Sequence, residues 1–227
     1  TTTKHQPAIN HVTPKPIRML FFVREAFPTY RVDVDVLFGR ELLGRGHQID
    51  FVMQAEAAEV RSGPILWRGR TVYLGRTDCS KSKLHRLHKH WLGFWNDLRW
   101  LSRASIDRYD AIQVRDKFVT AALALPIARL KGLKFFFWLS FPEPEAQLQG
   151  AREGTARFPI VNHIRGRLFD WLLYRWILPR CDHAFVQSEQ MRQDLGRRRI
   201  DLNKLTPVPM GIDISEIPTP VPHRHTH

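Results

Sequence analysis

The sequence predicts an α/β protein: a single doubly wound, mostly parallel sheet with helices on both faces. Three observations predict it. The chain opens with an apolar run at 17–23, a polar loop at 24–31, a helix-compatible segment stopped by Gly44 and Gly46, and a second apolar run at 49–53. That is strand, loop, helix, strand, the first unit of an open parallel sheet. The run at 17–23 is apolar at every position except Arg18, as a strand buried on both faces must be. Short apolar runs and helix-length segments then keep alternating to about residue 208, and right-handed crossovers should join the parallel strands.

Residues 1–14 read as a polar, flexible lead, 15–213 as the folded domain and 214–227 as a Pro-rich tail. The segment after Thr29 carries two patterns. Val32, Val34 and Val36 alternate with Asp33 and Asp35, which is strand-like, whereas Val34, Leu37, Phe38 and Leu42 fall at helical spacing. The glycines and the following strand favour the helix, with Thr29 as its expected N-cap. Ile65-Leu66-Trp67 and the run 71–74 flank Arg68-Gly69-Arg70 and predict a hairpin.

Next comes a helix with a continuous apolar stripe: Leu84, Leu87, Trp91, Phe94, Leu98 and Leu101. Lys81, Lys83, Arg86, Lys89, Arg99 and Arg103, with three histidines, fill the other positions. Two readings fit this pattern. One is a helix docked on the sheet with a solvated basic face. The other is a membrane-surface helix with Trp91, Trp95 and Trp100 at headgroup level.

A strand at 109–114 ends at Arg115-Asp116. A helix is expected at 118–130, containing Pro126 and stopped by Gly132. The most apolar strand, 133–139, runs into Ser140-Phe141-Pro142-Glu143-Pro144-Glu145, where two prolines forbid further pairing. Residues 147–158 read as a long loop and 159–178 as a helix. A strand at 183–187 leads to Ser188, the expected N-cap of a helix at 189–195, and a last strand occupies 205–208.

Composition narrows the function classes. Hydrophobic content of 43% and seven Trp supply a sizeable core. A net charge of +13 calls for an acidic partner: nucleic acid, an anionic membrane surface or phosphorylated substrates. The positive residues are spread over several helices and no reading motif is present, so nucleic acid is the weakest of these. Cys79 and Cys181 form no C-x-x-C, which points away from zinc and disulfide frameworks and toward a reducing, cytoplasmic setting. The chain begins without Met and without an apolar signal region, which reads as a processed or cut piece. No run reaches the roughly 18 apolar residues of a membrane-spanning helix.

Four polar clusters follow four predicted strands: Arg24-Glu25 with Arg31 in the same loop, Arg115-Asp116, Ser140 to Glu145, and Ser188-Glu189. In a parallel sheet these share one rim, where ligands bind. Cations, carboxylates and hydroxyls there suit a polar, anionic or sugar-like ligand; local ion pairs and caps are the alternative. Dinucleotide, Walker and nucleophile-elbow fingerprints are absent. His85-x-x-His88 lacks an acidic partner and reads as basic surface, and no metal site is expected.

With these features placed, the chain resembles the N-terminal, Rossmann-like domain of the retaining GT-B glycosyltransferases of family 4. The resemblance spans about 17–216. It rests on the first strand and loop, on Leu37-Phe38-Gly39-Arg40-Glu41-Leu42-Leu43-Gly44-Arg45-Gly46-His47, on the strand 109–115 with the helix after it, on the strand ending Trp138-Leu139-Ser140, on the run 181–195, and on Val208-Pro209-Met210-Gly211-Ile212-Asp213. It implies the acceptor-binding half of an enzyme that takes a sugar from a nucleotide-sugar to a glycan or lipid-linked acceptor. The donor half would be missing or carried by another polypeptide. It implies no cofactor beyond the donor co-substrate, and a peripheral place at the inner face of a membrane, with the helix around Lys81–Arg103 as docking element. Ser140, Arg115 and Glu143 are the expected catalytic residues, and Arg24, Glu25, Arg31, Asp116, Ser188 and Glu189 the expected substrate contacts.

The sequence departs from the family in three places. The first loop has no Gly-Gly pair, Ser140 stands where members often carry His, and Gln113-Val114-Arg115 replaces an H-x-H-like segment. These departures imply either a subfamily with other acceptors or a non-catalytic docking or regulatory module.

Overall fold

A computed structural model of the chain describes residues 15–56, 62–76, 83–155 and 158–211, with the side chains of 83–87 excepted. The expectations for the lead, the tail, Lys81, Leu84, Leu87 and the side chains of Lys83 and Arg86 therefore lie outside the described residues.

The sheet has eight strands in the order β3-β4-β2-β1-β5-β6-β7-β8. They are β1 (Arg18–Phe27), β2 (Gln48–Ala55), β3 (Gly63–Trp67), β4 (Arg70–Gly75), β5 (Ala111–Arg115), β6 (Lys134–Leu139), β7 (His183–Val186) and β8 (Leu205–Pro207). Every pair is parallel except the hairpin β3–β4. Its turn residues, Arg68 and Gly69, both have positive φ, as a two-residue hairpin turn requires.

The helices are α1 (Leu42–Gly44), preceded without a break by a π-type stretch Asp33–Glu41, then α2 (Lys83–Arg103), α3 (Phe118–Leu130), α4 (Glu143–Arg152), α5 (Pro159–Trp171), α6 (Leu178–Arg180) and α7 (Glu189–Arg197). A second π-type stretch, Leu172–Ile177, joins α5 to α6.

Strand order and right-handed crossovers decide which face each helix covers. The chain steps from β1 to β2 in one direction and from β5 to β8 in the other. Helix 33–44 therefore lies on one face, where Val34 and Phe38 pack on Phe21, Phe51 and Trp138. α2, α3, the end of α5 and α7 lie on the other. There Leu101, Ala121, Leu125, Leu173 and Leu195 close over Phe22, Val114 and Phe137. Asp97 of α2 ties this layer together, accepting from Lys117 Nζ at 2.8 Å and from Thr120 Oγ1 at 2.7 Å. β1 and β5 pair directly between the two windings. Their carboxyl ends are the topological switch point, where an open α/β sheet binds its ligands.

Several expectations need correction. β1 continues four residues past Val23 to Phe27, because a bulge keeps it paired with β2 beyond Phe22. Thr29 does not cap the first helix. Val32 holds that position, and the Thr29 hydroxyl accepts instead from Arg31 N at 3.3 Å. The first half of the expected loop at 147–158 is helix, since α4 runs on to Arg152. Pro144 sits in its first turn, where a missing N–H costs nothing, and Glu143 and Glu145 face the positive helix terminus. Trp100 is not a headgroup anchor, since it stacks on Tyr73 at 3.5 Å.

Candidate functional site

The site is built from the ends of β1, β5 and β6. In β1, Phe22 pairs with Val52 but Ala26 with Gln54. Two extra residues are thus accommodated among Val23, Arg24 and Glu25, opposite Met53. Such a bulge re-aims side chains near a strand end. It places Arg24 and Glu25 beside the end of β5, where Arg115 is the last residue.

Arg115 has 1% of its side chain exposed, and carboxylates surround it. Its guanidinium lies 2.7 Å from Asp33, 3.6 Å from Glu25 and 3.5 Å from Asp116. The helix 33–44 thus contributes Asp33 to the site. Arg31 borders the same carboxylates, 3.5 Å from Asp33 and 3.9 Å from Glu25. Distance alone does not make these hydrogen bonds. Among the described residues the three guanidinium nitrogens of Arg115 make no aligned one. Charge neutralisation, not directional bonding, holds this buried cation.

Asp116 follows directly. Its φ of 51° is a strained value for a residue other than glycine. The turn lets its carboxylate reach across to β6, where it accepts from Ser140 N at 2.9 Å and from the Ser140 hydroxyl. Burial pushes the Asp116 carboxyl above its ordinary value, against the Ser140 hydrogen bonds and the Arg115 charge, which favour ionisation.

The outer edge is a relay of side chains. Arg24 reaches Glu143, at the start of α4, at 2.5 Å. Glu143 also accepts from Gln147 Nε2 at 2.8 Å and from Arg165 at 3.4 Å. Arg165 Nε donates to Gln147 Oε1 at 3.0 Å. α4 and α5 are therefore fastened to the bulge of β1 by one charged chain.

The structure thus brings together Arg24, Glu25, Arg31, Arg115, Asp116, Ser140 and Glu143. Ser188 and Glu189 occupy the end of β7 but serve other partners: Ser188 Oγ caps α7 by accepting from Met191 N at 3.1 Å, and Glu189 pairs with Arg192 at 3.0 Å. Three members went unrecognised in the sequence: Asp33, Gln147 and Arg165. Asp33 was visible as an acid in a helical first turn. Gln147 was visible only once 143–152 is read as helix, which places it four residues after Glu143. On α2, Trp91, Trp95 and Arg99 are exposed and Lys89 is half-buried.

Two recesses lie away from this cluster. One, about 450 Å³, is bounded by Arg129, Lys134, Arg180 and Lys204. The other, about 550 Å³, is bounded by Glu145, Arg152, Arg167 and Arg198. In the first, Arg129, Arg180 and Lys204 each donate to a main-chain carbonyl and Lys134 pairs with Asp182. The candidate site is open at the rim. Among the described residues no cluster of His, Cys, Asp or Glu is arranged to hold a metal, and no helix is long and apolar enough to cross a membrane.

The fold and the family now converge. No curated protein sequence matches the chain. Its fold is similar to that of Anabaena Alr3699/HepE, solved with UDP and glucose, with a TM-score of 0.50 and 13% identity over 88% of this chain and 46% of that one. It is also similar to Arabidopsis thaliana UGT89C1, solved with UDP, with a TM-score of 0.53 and 10% identity over 87% of this chain and 53% of that one. The chain therefore spans about half the length of these structures, and its sheet is one Rossmann-like half of a GT-B fold. A family model described as Glycosyltransferase Family 4 matches residues 36–216, most of the sequence. The chain belongs to glycosyltransferase family 4.

Proposed function

We propose that this chain is the acceptor-binding half of a retaining glycosyltransferase that uses a nucleotide-sugar donor. One observation carries the reading: Arg24, Arg115-Asp116 and Ser140 to Glu143 come from three strand ends and meet at the switch point. The family membership supports the reaction class, and the resemblance supports retention. The acceptor lies over this rim, and the donor is held by a second domain that faces it.

The roles follow from exposure. Arg24 is half-exposed and Ser140 and Glu143 are part-buried at the surface, so these three contact the acceptor. Arg115 is covered and acts as a positioning residue, setting Glu25, Asp33 and Asp116. In front-face transfer the acceptor hydroxyl attacks the anomeric carbon on the side from which the nucleoside diphosphate departs. The protein supplies alignment and fixed charge rather than a nucleophile. Arg24 and Arg31 provide side-chain charge where the glycine-free loop cannot offer close backbone N–H groups.

The test is release of nucleoside diphosphate by the full-length protein, with a panel of nucleotide-sugars and glycan or glycolipid acceptors. Transfer with retained anomeric configuration is expected. Arg115→Ala and Ser140→Ala should each lower turnover, and undiminished turnover in both would remove the site assignment.

A further inference from the structure

The recess bounded by Arg129, Lys134, Arg180 and Lys204 lies at the other end of the sheet from the candidate site. Lys134 is the first residue of β6, Asp182 immediately precedes β7 and Lys204 immediately precedes β8. Arg129 stands in the last turn of α3, and Arg180 ends α6. The strand from Lys134 to Ser140, at about 3.3 Å per residue, puts about 20 Å between the two places. A ligand in this recess does not compete for the transfer rim.

Charge distinguishes it from its surroundings. Among the described residues that bound it, four cations face one carboxylate, Asp182. The second recess is balanced instead, with Glu145, Glu153 and Asp170 against Arg152, Arg167 and Arg198. The hydrogen bonds of the first recess fix its cations without neutralising them. Arg129 Nη2 donates to the Arg180 carbonyl at 2.7 Å, and Arg180 Nη1 donates to the Arg175 carbonyl. Lys204 Nζ reaches the carbonyls of Pro179 and Cys181 at 3.3 and 3.4 Å. Arg180 also lies over the Trp176 ring, 4.7 Å from its centroid. A carbonyl carries no net charge, and guanidinium and ammonium groups hold further N–H donors beyond those used here. Three cations therefore gather around the segment 179–182 while the one carboxylate pairs with Lys134 at 2.9 Å. Like charges held this way repel one another until an anion enters among them.

The recess already favours the one anion it contains. Burial works against ionisation of Asp182. The Lys134 hydrogen bond, the Phe135 N–H and the charges of Lys134 and Arg129 nevertheless hold its carboxyl below the ordinary value.

We propose that this recess binds a phosphorylated small molecule, its phosphoryl oxygens seated among Arg129, Arg180 and Lys204. Arginine meets phosphate with paired N–H groups and lysine meets it as a point charge. The side chains are already held in place, so less ordering opposes binding. The volume, about 450 Å³, is that of a small-molecule site. A concavity of this kind suits a compact anion better than a nucleic-acid backbone, which asks for a stripe of charge. Nothing in this site depends on the glycosyltransferase reading.

The test is titration of the purified protein with inorganic pyrophosphate at low salt, read by calorimetry and by thermal stabilisation. Sodium chloride at matched ionic strength is the comparison. Saturable stabilisation by pyrophosphate beyond that of chloride is expected. The doubly substituted Arg129→Gln, Lys204→Gln protein, checked for folding by circular dichroism, should bind at least about tenfold more weakly. Asp182→Asn removes the opposing carboxylate and keeps an oxygen for the Phe135 N–H, so it should bind about threefold more tightly. Arg24→Ala, at the transfer rim, should bind as wild type does. Three results would overturn the proposal. Pyrophosphate stabilises the wild type no more than chloride does. The folded double variant binds as wild type does, which puts the anion elsewhere. Or a short DNA duplex displaces pyrophosphate at a lower phosphate concentration, which gives the cations to a nucleic-acid backbone. If the double variant does not fold, Asp182→Asn decides alone, and unchanged or weaker binding in it removes the site.

Discussion

Arg24 and Glu143 meet at 2.5 Å although 119 positions separate them. The pair joins the bulge of β1 to the first residue of α4. Arg24 is 53% exposed, and an ion pair so open to water contributes only about 0–1 kcal/mol to stability. Its effect is on position. Arg24→Ala should change unfolding free energy by no more than about 0.5 kcal/mol, yet lower kcat/KM for transfer at least about tenfold. Glu143→Gln keeps an oxygen for Arg24 and should fall between. Denaturation and transfer measured on the same preparations decide it. Matched losses in both would make the pair merely structural.

Arg115 behaves in the opposite way. It is buried among Glu25, Asp33 and Asp116, and removing one partner of a buried charge group strands the others. Arg115→Met should destabilise the fold by about 3–5 kcal/mol at neutral pH. Adding Asp33→Asn removes one stranded carboxylate and should return at least about 1 kcal/mol. Urea denaturation of the single and double variants reads both numbers. Additive losses would show that the two residues do not interact.

These two arginines also show what could be read from the chain. Both were legible as polar residues following apolar runs, because a parallel sheet collects its strand ends on one rim whatever their separation in sequence. Their exposure was not legible. Whether a charged residue at a strand end is covered depends on what the next helix brings over it. Here the helix 33–44 brings Asp33 over Arg115, while nothing comparable covers Arg24. α4 was lost for a related reason. Pro142 and Pro144 stop a strand, and the same prolines start a helix when one of them falls in its first turn. Thr29 was displaced as the cap because β1 bulges and runs on to Phe27, which shifts the helix start to Val32. Apolar spacing cannot report a bulge, since the extra residues fall between two paired positions.

The Asp116 carboxyl makes a prediction in pH. Burial raises its folded-state pKa above the ordinary 3.8. The folded protein therefore binds this proton more tightly than the unfolded chain does. The contribution to stability is fully present below 3.8 and is lost as pH rises through the raised folded value. Asp116→Asn removes the titration, and Asn tolerates the positive φ. Wild type and variant should be nearly matched below that ordinary value, with the wild type falling behind as pH rises and then running parallel. Unfolding free energies measured across this range test the sign. A wild type that gains on the variant with rising pH would mean the Ser140 and Arg115 interactions outweigh burial.

Two glycines of the α4–α5 pair should respond to alanine in opposite directions. A Cβ at Gly166 would lie 2.9 Å from Leu148 Cγ and 3.1 Å from its Cδ2, closer than packed carbons approach. Among the described residues a Cβ at Gly150 would meet only the Thr155 hydroxyl, at 3.5 Å, an ordinary contact. Each substitution gains up to about 1 kcal/mol of helix propensity. At Gly150 nothing opposes that gain, so Gly150→Ala should be neutral to stabilising. At Gly166 overpacking costs about 1–3 kcal/mol, so Gly166→Ala should be destabilising by about 1 kcal/mol net. It should also push α4 away from α5, loosening the Arg165 bonds to Gln147 and Glu143 that hold the rim. Transfer activity should therefore fall in Gly166→Ala by more than its stability loss accounts for, and stay level in Gly150→Ala. A Gly166→Ala protein as stable and as active as wild type would show that Leu148 yields, and that the helix pair does not set the position of Glu143.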